Sequence, residues 1–225
     1  MREPFDDLHF TDGRRARQAL EAILERAPHN FAGAFAQALQ GMANAQKAVE
    51  RAARFLEALD EPHLEVAAWA ADPAYLHLLL TILTQSHHFA DQLCATPQDM
   101  WWLRDKAPLD RARPREEMAG ALRAMVPPEA DWDAVCRALR RFRQRELLRI
   151  AVRDVVGHAT IHSLTEDLSH LADASVQVAL EAAHARQAAR LGPADALPPF
   201  VVLGVGKLGG CELNFSSDID LRVIY

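Results

Sequence analysis

The chain has 225 residues, 50% of them hydrophobic and 25% charged, with a net charge of −6 and a pI near 5.9. That composition suits an ordinary globular protein with room for one large domain or two small ones, and its acidic balance argues against a dedicated nucleic-acid binder. Cys94, Cys136 and Cys211 have neither paired nor metal-like spacing, which points to a reducing cytoplasm. No signal peptide is read at the start, and residues 76–83 are too short and too interrupted to span a bilayer.

Residues 1–30 read as a polar lead-in and a helix. Thr11 or Asp12 caps it, Ala16, Leu20, Ile23 and Leu24 form its apolar stripe, and Pro28-His29-Asn30 ends it. Residues 31–59 are rich in alanine and show no strand alternation, so they read as helical, with a break near Gly41. After a turn at Asp60-Glu61-Pro62, helices are expected over 64–71 and 73–83, with Asp72 capping the second and Pro73 at its first position. Thr96-Pro97 marks another helix start. His87-His88 reads as exposed or capping, because neighbouring helical side chains diverge and seldom chelate together. Trp101-Trp102 reads as a core or helix-packing pair, with a binding platform as the alternative.

Residues 108–128 combine proline and charge with a short helix over 115–125, read as a surface excursion. The longest helical territory follows, from Asp131 to about Arg190. Arg137, Arg140, Arg141, Arg143, Arg145, Arg149 and Arg153 crowd one part of it. The favoured reading is a solvated helix face paired with Glu146 and Asp154; a role for one or two of these arginines facing phosphate is the alternative. Asp154, His158, His162 and Glu166 recur at every fourth residue. His-x-x-x-His is a chelating spacing, but the His-Glu-x-x-His signature is missing, and capping, pairing or packing is expected rather than zinc. Residues 190–199, with Gly192, Pro193, Pro198 and Pro199, punctuate the chain and end the helix.

The final stretch carries the chemistry. An apolar run over 200–203 reads as a buried strand. Gly204, Gly206, Gly209 and Gly210 follow, with Lys207 among them; glycine lets a backbone turn sharply and approach a ligand closely. Ser216, Ser217, Asp218 and Asp220 open a second strand pattern. Side chains alternate along a strand, so Asp218 and Asp220 share a face, roughly 7 Å apart. Two such carboxylates suit magnesium, which takes hard oxygen ligands and completes its shell with substrate phosphates.

Gly206, eleven intervening residues and Asp218-x-Asp220 fit the signature of the polymerase-β-like nucleotidyltransferases. Gly-Lys-Leu-Gly-Gly-x-Glu-Leu-Asn-Phe-Ser-Ser-Asp-Ile-Asp-Leu, from Gly206 to Leu221, closely resembles the glutamine synthetase adenylyltransferase/adenylyl-removing family. The wording from Asn214 to Asp220 resembles its N-terminal, adenylyl-removing copy. Looser likenesses lie upstream, in Ser86 to Phe89, in Leu139-Arg140-Arg141-Phe142 and in Leu168-Ser169. Lys207 stands where many members of the wider superfamily carry serine, a departure that suits this family.

The resemblance implies a mainly α fold: a multi-helix N-terminal region over 1–196, then from 197–225 the first two strands of an α+β polymerase-β-like nucleotidyltransferase domain. It implies Asp218 and Asp220 as catalytic metal ligands in a two-metal magnesium site. It also implies a phosphate- and nucleotide-binding cradle of Gly206, Lys207, Gly209 and Gly210, with Ser216 and Ser217 orienting the aspartates or touching phosphate. The substrates would be ATP, ADP and phosphate, and the partners glutamine synthetase and a PII-type signal protein, in the cytoplasm, with no membrane and no nucleic acid. Members of the superfamily need a third carboxylate from a later strand. The expectation is therefore an N-terminal fragment of a longer protein, inactive alone, whose second strand is an exposed apolar edge. Two alternatives stand beside it: a nucleotidyltransferase with another substrate, and a non-catalytic helical interaction module.

Overall fold

A computed structural model describes residues 4–105, 107–127, 129–191 and 200–225. The chain divides into two compact units, Met1–Ala107 and Pro108–Tyr225. The expected boundary at 196/197, and most of the glycine-proline punctuation, lie outside the described residues.

The first unit holds α1 (Gly13–Leu24), α2 (Phe31–Gln40), α3 (Ala45–Glu57), α4 (Pro62–Ala71), α5 (Pro73–Gln85), α6 (His87–Ala95) and α7 (Gln98–Asp105). Local chemistry sets most of these starts. The side chains of Asp12, Asn44, Asp72 and Ser86 each accept a hydrogen bond from a backbone N–H of the first turn they precede, satisfying donors that the helix itself leaves without partners. Asp72 with Pro73 behaves as expected, and the break at Gly41 falls where the sequence placed it. α7 begins one residue beyond Pro97.

α3 is the hub, in contact with α1, α2, α4, α5 and α6. Its buried face of Ala48, Val49, Ala52, Ala53, Phe55 and Leu56 is small enough for neighbours to approach closely, while Phe55 stacks on Trp69 at 6.5 Å. Each large apolar side chain removed from water here contributes about 1.5–3 kcal/mol. His87 is exposed, as expected, and faces Arg51 through its Nδ1 atom. Trp101 is partly exposed and donates to Glu65 at 2.9 Å, so it packs against α4 at the surface and is not a core residue. Among the described residues no single helix is long and apolar enough to cross a membrane.

The second unit holds α8 (Arg115–Met125), α9 (Trp132–Val155), α10 (Ile161–Leu191), β1 (Val201–Val205), the single turn α11 (Gly206–Gly209) and β2 (Asp220–Ile224). α8 has the expected bounds but is no surface excursion, because Met118, Ala119 and Leu122 are buried and α8 packs on α9 and α10. The segment before it is tied down by charge. The backbone N–H of Arg113 reaches Asp167 Oδ1 at 2.9 Å, and the carbonyls of Pro108 and Leu109 accept from Arg149 and Arg153.

The arginine run therefore needs correcting in part. Arg137 stays on the surface, 4.0 Å from Asp131, whereas Arg149 and Arg153 are buried. Arg149 pairs with Glu146 and with Asp167, both at 2.7 Å, and Arg153 pairs with the other oxygen of Asp167. Burial lowers the Arg149 pKa and the carboxylates Glu146 and Asp167 raise it; the net direction is upward. The every-fourth-residue set also fails as one face. α9 ends at Val155, Gly157 takes a φ of +71°, and α10 starts at Ile161. Asp154 is thereby separated from His162 and Glu166 by a chain reversal, with His158 in the turn.

Candidate active site

β1 and β2 pair antiparallel, with Val205 opposite Asp220 and Gly204 opposite Leu221. Asp220 thus opens β2 directly beside the glycine turn. Gly206 has a φ of +59°, and a Cβ built there would lie 3.1 Å from Asp220 Oδ2. A Cβ on Gly209 would lie 2.7 Å from the Gly204 carbonyl oxygen. The turn can close only on hydrogen atoms at these points. The expected strand over 200–203 is shifted and lengthened to Val201–Val205, and Asp218 lies in the stretch leading into β2, two residues before it starts.

The end of the turn is closed from within. Glu212 N–H donates to Lys207 O at 2.7 Å and Cys211 N–H to Leu208 O at 3.1 Å, the paired 6→1 and 5→2 bonds of a Schellman cap. Gly210 N–H donates to Gly206 O at 3.1 Å, so its backbone donor is already engaged and is the weakest member of the expected cradle. Lys207 is exposed, with its side chain free of the core. The loop after the cap also closes on itself. Ser217 Oγ accepts from Asn214 N–H at 3.1 Å, and Asn214 Oδ1 accepts from Ser216 N–H at 3.0 Å. In this structure the serines shape the turn that delivers Asp218.

Two residues that the sequence did not single out hold this assembly together, Leu208 against the Gly204 backbone and Leu213 against the helices. Leu208 and Leu213 are buried within an otherwise exposed hairpin. Leu213 N–H points at the buried Ser169 Oγ of α10 at 3.5 Å, and that hydroxyl in turn donates to Thr165 O at 2.7 Å. The leucines at 208 and 213 were a legible signal within the glycine motif; Ser169 stood only in the looser likeness at Leu168-Ser169, which does not show that it meets Leu213. An open cavity of about 410 Å³ lies beside Asp218, between Leu147, Leu168 and Leu171 of the helices and Phe215 and Ile219 of the loop. Val201, Leu203, Leu221, Val223 and Ile224 are all exposed, so β2 presents the expected apolar edge. The run over 200–203, expected to be buried, is largely exposed instead, because among the described residues β1 pairs with β2 alone in a two-stranded sheet.

The donor set fits a hard cation. Asp218 and Asp220 are exposed carboxylates, and Asp220 Oδ2 faces a turn stripped of side chains. Among the described residues no group of three or more acidic, histidine or cysteine side chains gathers to hold a metal. A pair of carboxylates with open positions matches magnesium, which is usually held by one or two carboxylates plus substrate phosphates.

Fold and site together define a mainly helical protein ending in a glycine-turn β-hairpin that carries an acidic pair. The family model described as glutamate-ammonia ligase adenylyltransferase matches residues 76–225. The chain belongs to that family. It is similar to proteins named bifunctional glutamine synthetase adenylyltransferase/adenylyl-removing enzyme from three organisms. The Thioalkalivibrio sulfidiphilus protein is 46% identical over 120 residues, 51% of this chain and 12% of that protein. The Pseudomonas aeruginosa protein is 37% identical over 145 residues, 62% and 15% respectively, and the Pasteurella multocida protein is 31% identical over 222 residues, 95% and 21%. The chain therefore spans about a fifth or less of the length of these relatives.

Proposed function

We propose that this chain supplies the glycine turn and the two aspartates of a nucleotidyltransferase site that removes AMP from a tyrosine of glutamine synthetase. The observation that carries the reading is the seating of the Asp220 carboxylate against the Gly206 turn, which sets a cation ligand beside backbone that carries no Cβ at that point. The relatives' names supply the substrate.

In the proposed reaction an oxygen of inorganic phosphate attacks the phosphorus of tyrosyl-AMP. The bond from phosphorus to the tyrosine oxygen breaks, the tyrosine leaves as its hydroxyl after taking a proton, and the other product is ADP. The opposing reaction, in which the tyrosine oxygen attacks the α-phosphorus of ATP and pyrophosphate leaves, is assigned to the rest of the longer protein. Bound magnesium would supply charge neutralisation on the attacking and leaving oxygens. Asp218 and Asp220 would hold it. Lys207 and the backbone N–H groups at the start of α11, which lack acceptors within the turn, would hold phosphate oxygens. Ser216 and Ser217 keep the loop closed so that Asp218 arrives in register. With two carboxylates gathered here and no third among the described residues, the isolated 225-residue chain is expected not to turn over. A cytoplasmic setting and a PII-type regulator belong to the same proposal.

The test uses the longer parent protein with adenylylated glutamine synthetase, magnesium and phosphate. ADP release should vanish in the Asp218→Asn/Asp220→Asn double variant while ATP-dependent adenylylation persists. Terbium luminescence on the 225-residue chain gives a readout apart from turnover, and the same double variant should abolish it. ADP release that survives the double substitution would overturn the assignment.

A further inference from the structure

The first unit carries a cleft unrelated to the hairpin. It encloses about 360 Å³ between the turn at Leu59, Asp60 and Glu61, the exposed face of α4 at Leu64, and Trp101 and Arg104 of α7. Leu64, at 55% exposure, and Trp101, at 37%, are the exposed large hydrophobic side chains among the described residues of this unit. Both line this cleft. Elsewhere among the described residues of the unit the large apolar side chains are buried or half-buried.

The walls are held in place before anything binds. Glu65 is buried, and its carboxylate accepts from three neutral donors. Trp101 Nε1–H reaches one oxygen at 2.9 Å, while Trp69 Nε1–H at 3.0 Å and the Tyr75 hydroxyl at 2.5 Å reach the other. The Tyr75 phenol pKa is raised, first by burial and then by the neighbouring Glu65 charge. Arg104 lies over the Tyr75 ring at 5.1 Å and grips Asp105 at 2.7 and 3.2 Å. An indole fixed by its own N–H loses little freedom when a ligand packs on it, and fixed tryptophan and arginine side chains are what interface hot spots are made of.

Charge selects the occupant. The Arg104 charge is met by Asp105, whereas Asp60 and Glu61 stand exposed at the rim and enter no ion pair among the described residues. The cleft therefore offers an apolar floor with an anionic lip. The geometry points to a docking site for a segment of a partner protein that presents an aliphatic side chain beside a lysine or arginine. The aliphatic group packs on Trp101 and Leu64, and the cation reaches Asp60 and Glu61. An acidic segment, or a nucleic acid, would meet like charge at the same lip.

The experiment titrates the 225-residue chain with two short blocked peptides. One alternates leucine with lysine and arginine between glycine-serine ends; the other has glutamate in place of each cation. The readout is the Trp101 indole N–H resonance in nitrogen-15 NMR. The basic peptide is expected to move it and to bind at least about tenfold more tightly than the acidic one. Leu64→Ser, on an exposed side chain, should abolish the shift without altering the circular dichroism spectrum. Asp60→Lys/Glu61→Lys should reverse the preference between peptides. No movement of the Trp101 resonance at millimolar basic peptide would overturn the proposal, as would an equal response to both peptides or a response that survives Leu64→Ser. None of these outcomes depends on the reaction proposed above.

Discussion

Asp220 Oδ2 sits 3.1 Å from the point where a Cβ would stand on Gly206, in a residue whose φ is +59°. Gly206→Ala would suffer twice, from left-handed backbone strain of about 1–2 kcal/mol and from displacement of the exposed Asp220 carboxylate from its seat against the turn. The expected outcome is a lowered unfolding midpoint together with weakened terbium luminescence. A variant with unchanged luminescence would mean that the turn and the carboxylate do not act together.

Asp167 holds Arg149 on one oxygen and Arg153 on the other, all three buried. Asp167→Ala leaves two guanidinium groups without their shared counter-charge, and breaking a buried pair in this way costs about 3–5 kcal/mol. Asp220→Asn, at an exposed position, should change stability by no more than about 0.5 kcal/mol. Urea unfolding followed by circular dichroism compares the two; equal effects would refute the contrast between a structural and a chemical aspartate.

Glu181 on α10 accepts two hydrogen bonds from Arg123 of α8, both 2.7 Å, and these hold its pKa down at about 2, against 4.5 for an ordinary glutamate. A carboxylate depressed in the folded state adds stability above its unfolded pKa and loses it as the pH falls through the folded one. The window is therefore pH 4.5 down to about 2. Both side chains are more than a third exposed, at 48% and 40%, so the pair is worth about 0–1 kcal/mol. Glu181→Gln should flatten the acid side of the stability profile within that window and leave it parallel to the unsubstituted chain above it. A profile unchanged between pH 4.5 and 2 would show that the pair contributes nothing.

Cys211 is a non-glycine residue with a φ of 55°, at the position of the Schellman cap that glycine usually fills. Cys211→Gly should stabilise the second unit by about 1 kcal/mol, the order of the left-handed penalty for a residue with a Cβ. A fall in the thermal midpoint would indicate that the cysteine side chain makes a compensating contact.

The legible parts of the fold were those encoded by neighbours in sequence. Asp72-Pro73 announces α5, Gly41 ends α2, and the proline at 114 with the alanine- and glutamate-rich run behind it frames α8. Gly206, Gly209 and the acidic pair were likewise readable, because glycine and aspartate at that spacing answer a steric and an electrostatic demand met within fifteen residues. The break at Gly157 was missed, although Val155, Val156, His158 and Thr160 around it are weak helix formers, because the every-fourth-residue spacing of Asp154, His158, His162 and Glu166 reads as one unbroken helix face. The histidine spacing at 158 and 162 then lost its meaning, because a period counts only while the helix continues.

The sequence by itself determined most of the helical starts and stops, the glycine turn and the family wording, the first two being products of short-range sterics and capping. Only the tertiary structure decided which arginines are buried, because Arg113 and Arg149 meet Asp167 from 54 and 18 residues away. It also decided that Trp101 stands at the lip of a cleft and that Ser169 holds Leu213 from 44 residues away. Burial and pairing of charge depend on which distant side chains share a low-dielectric interior, and no local pattern of residue types records that.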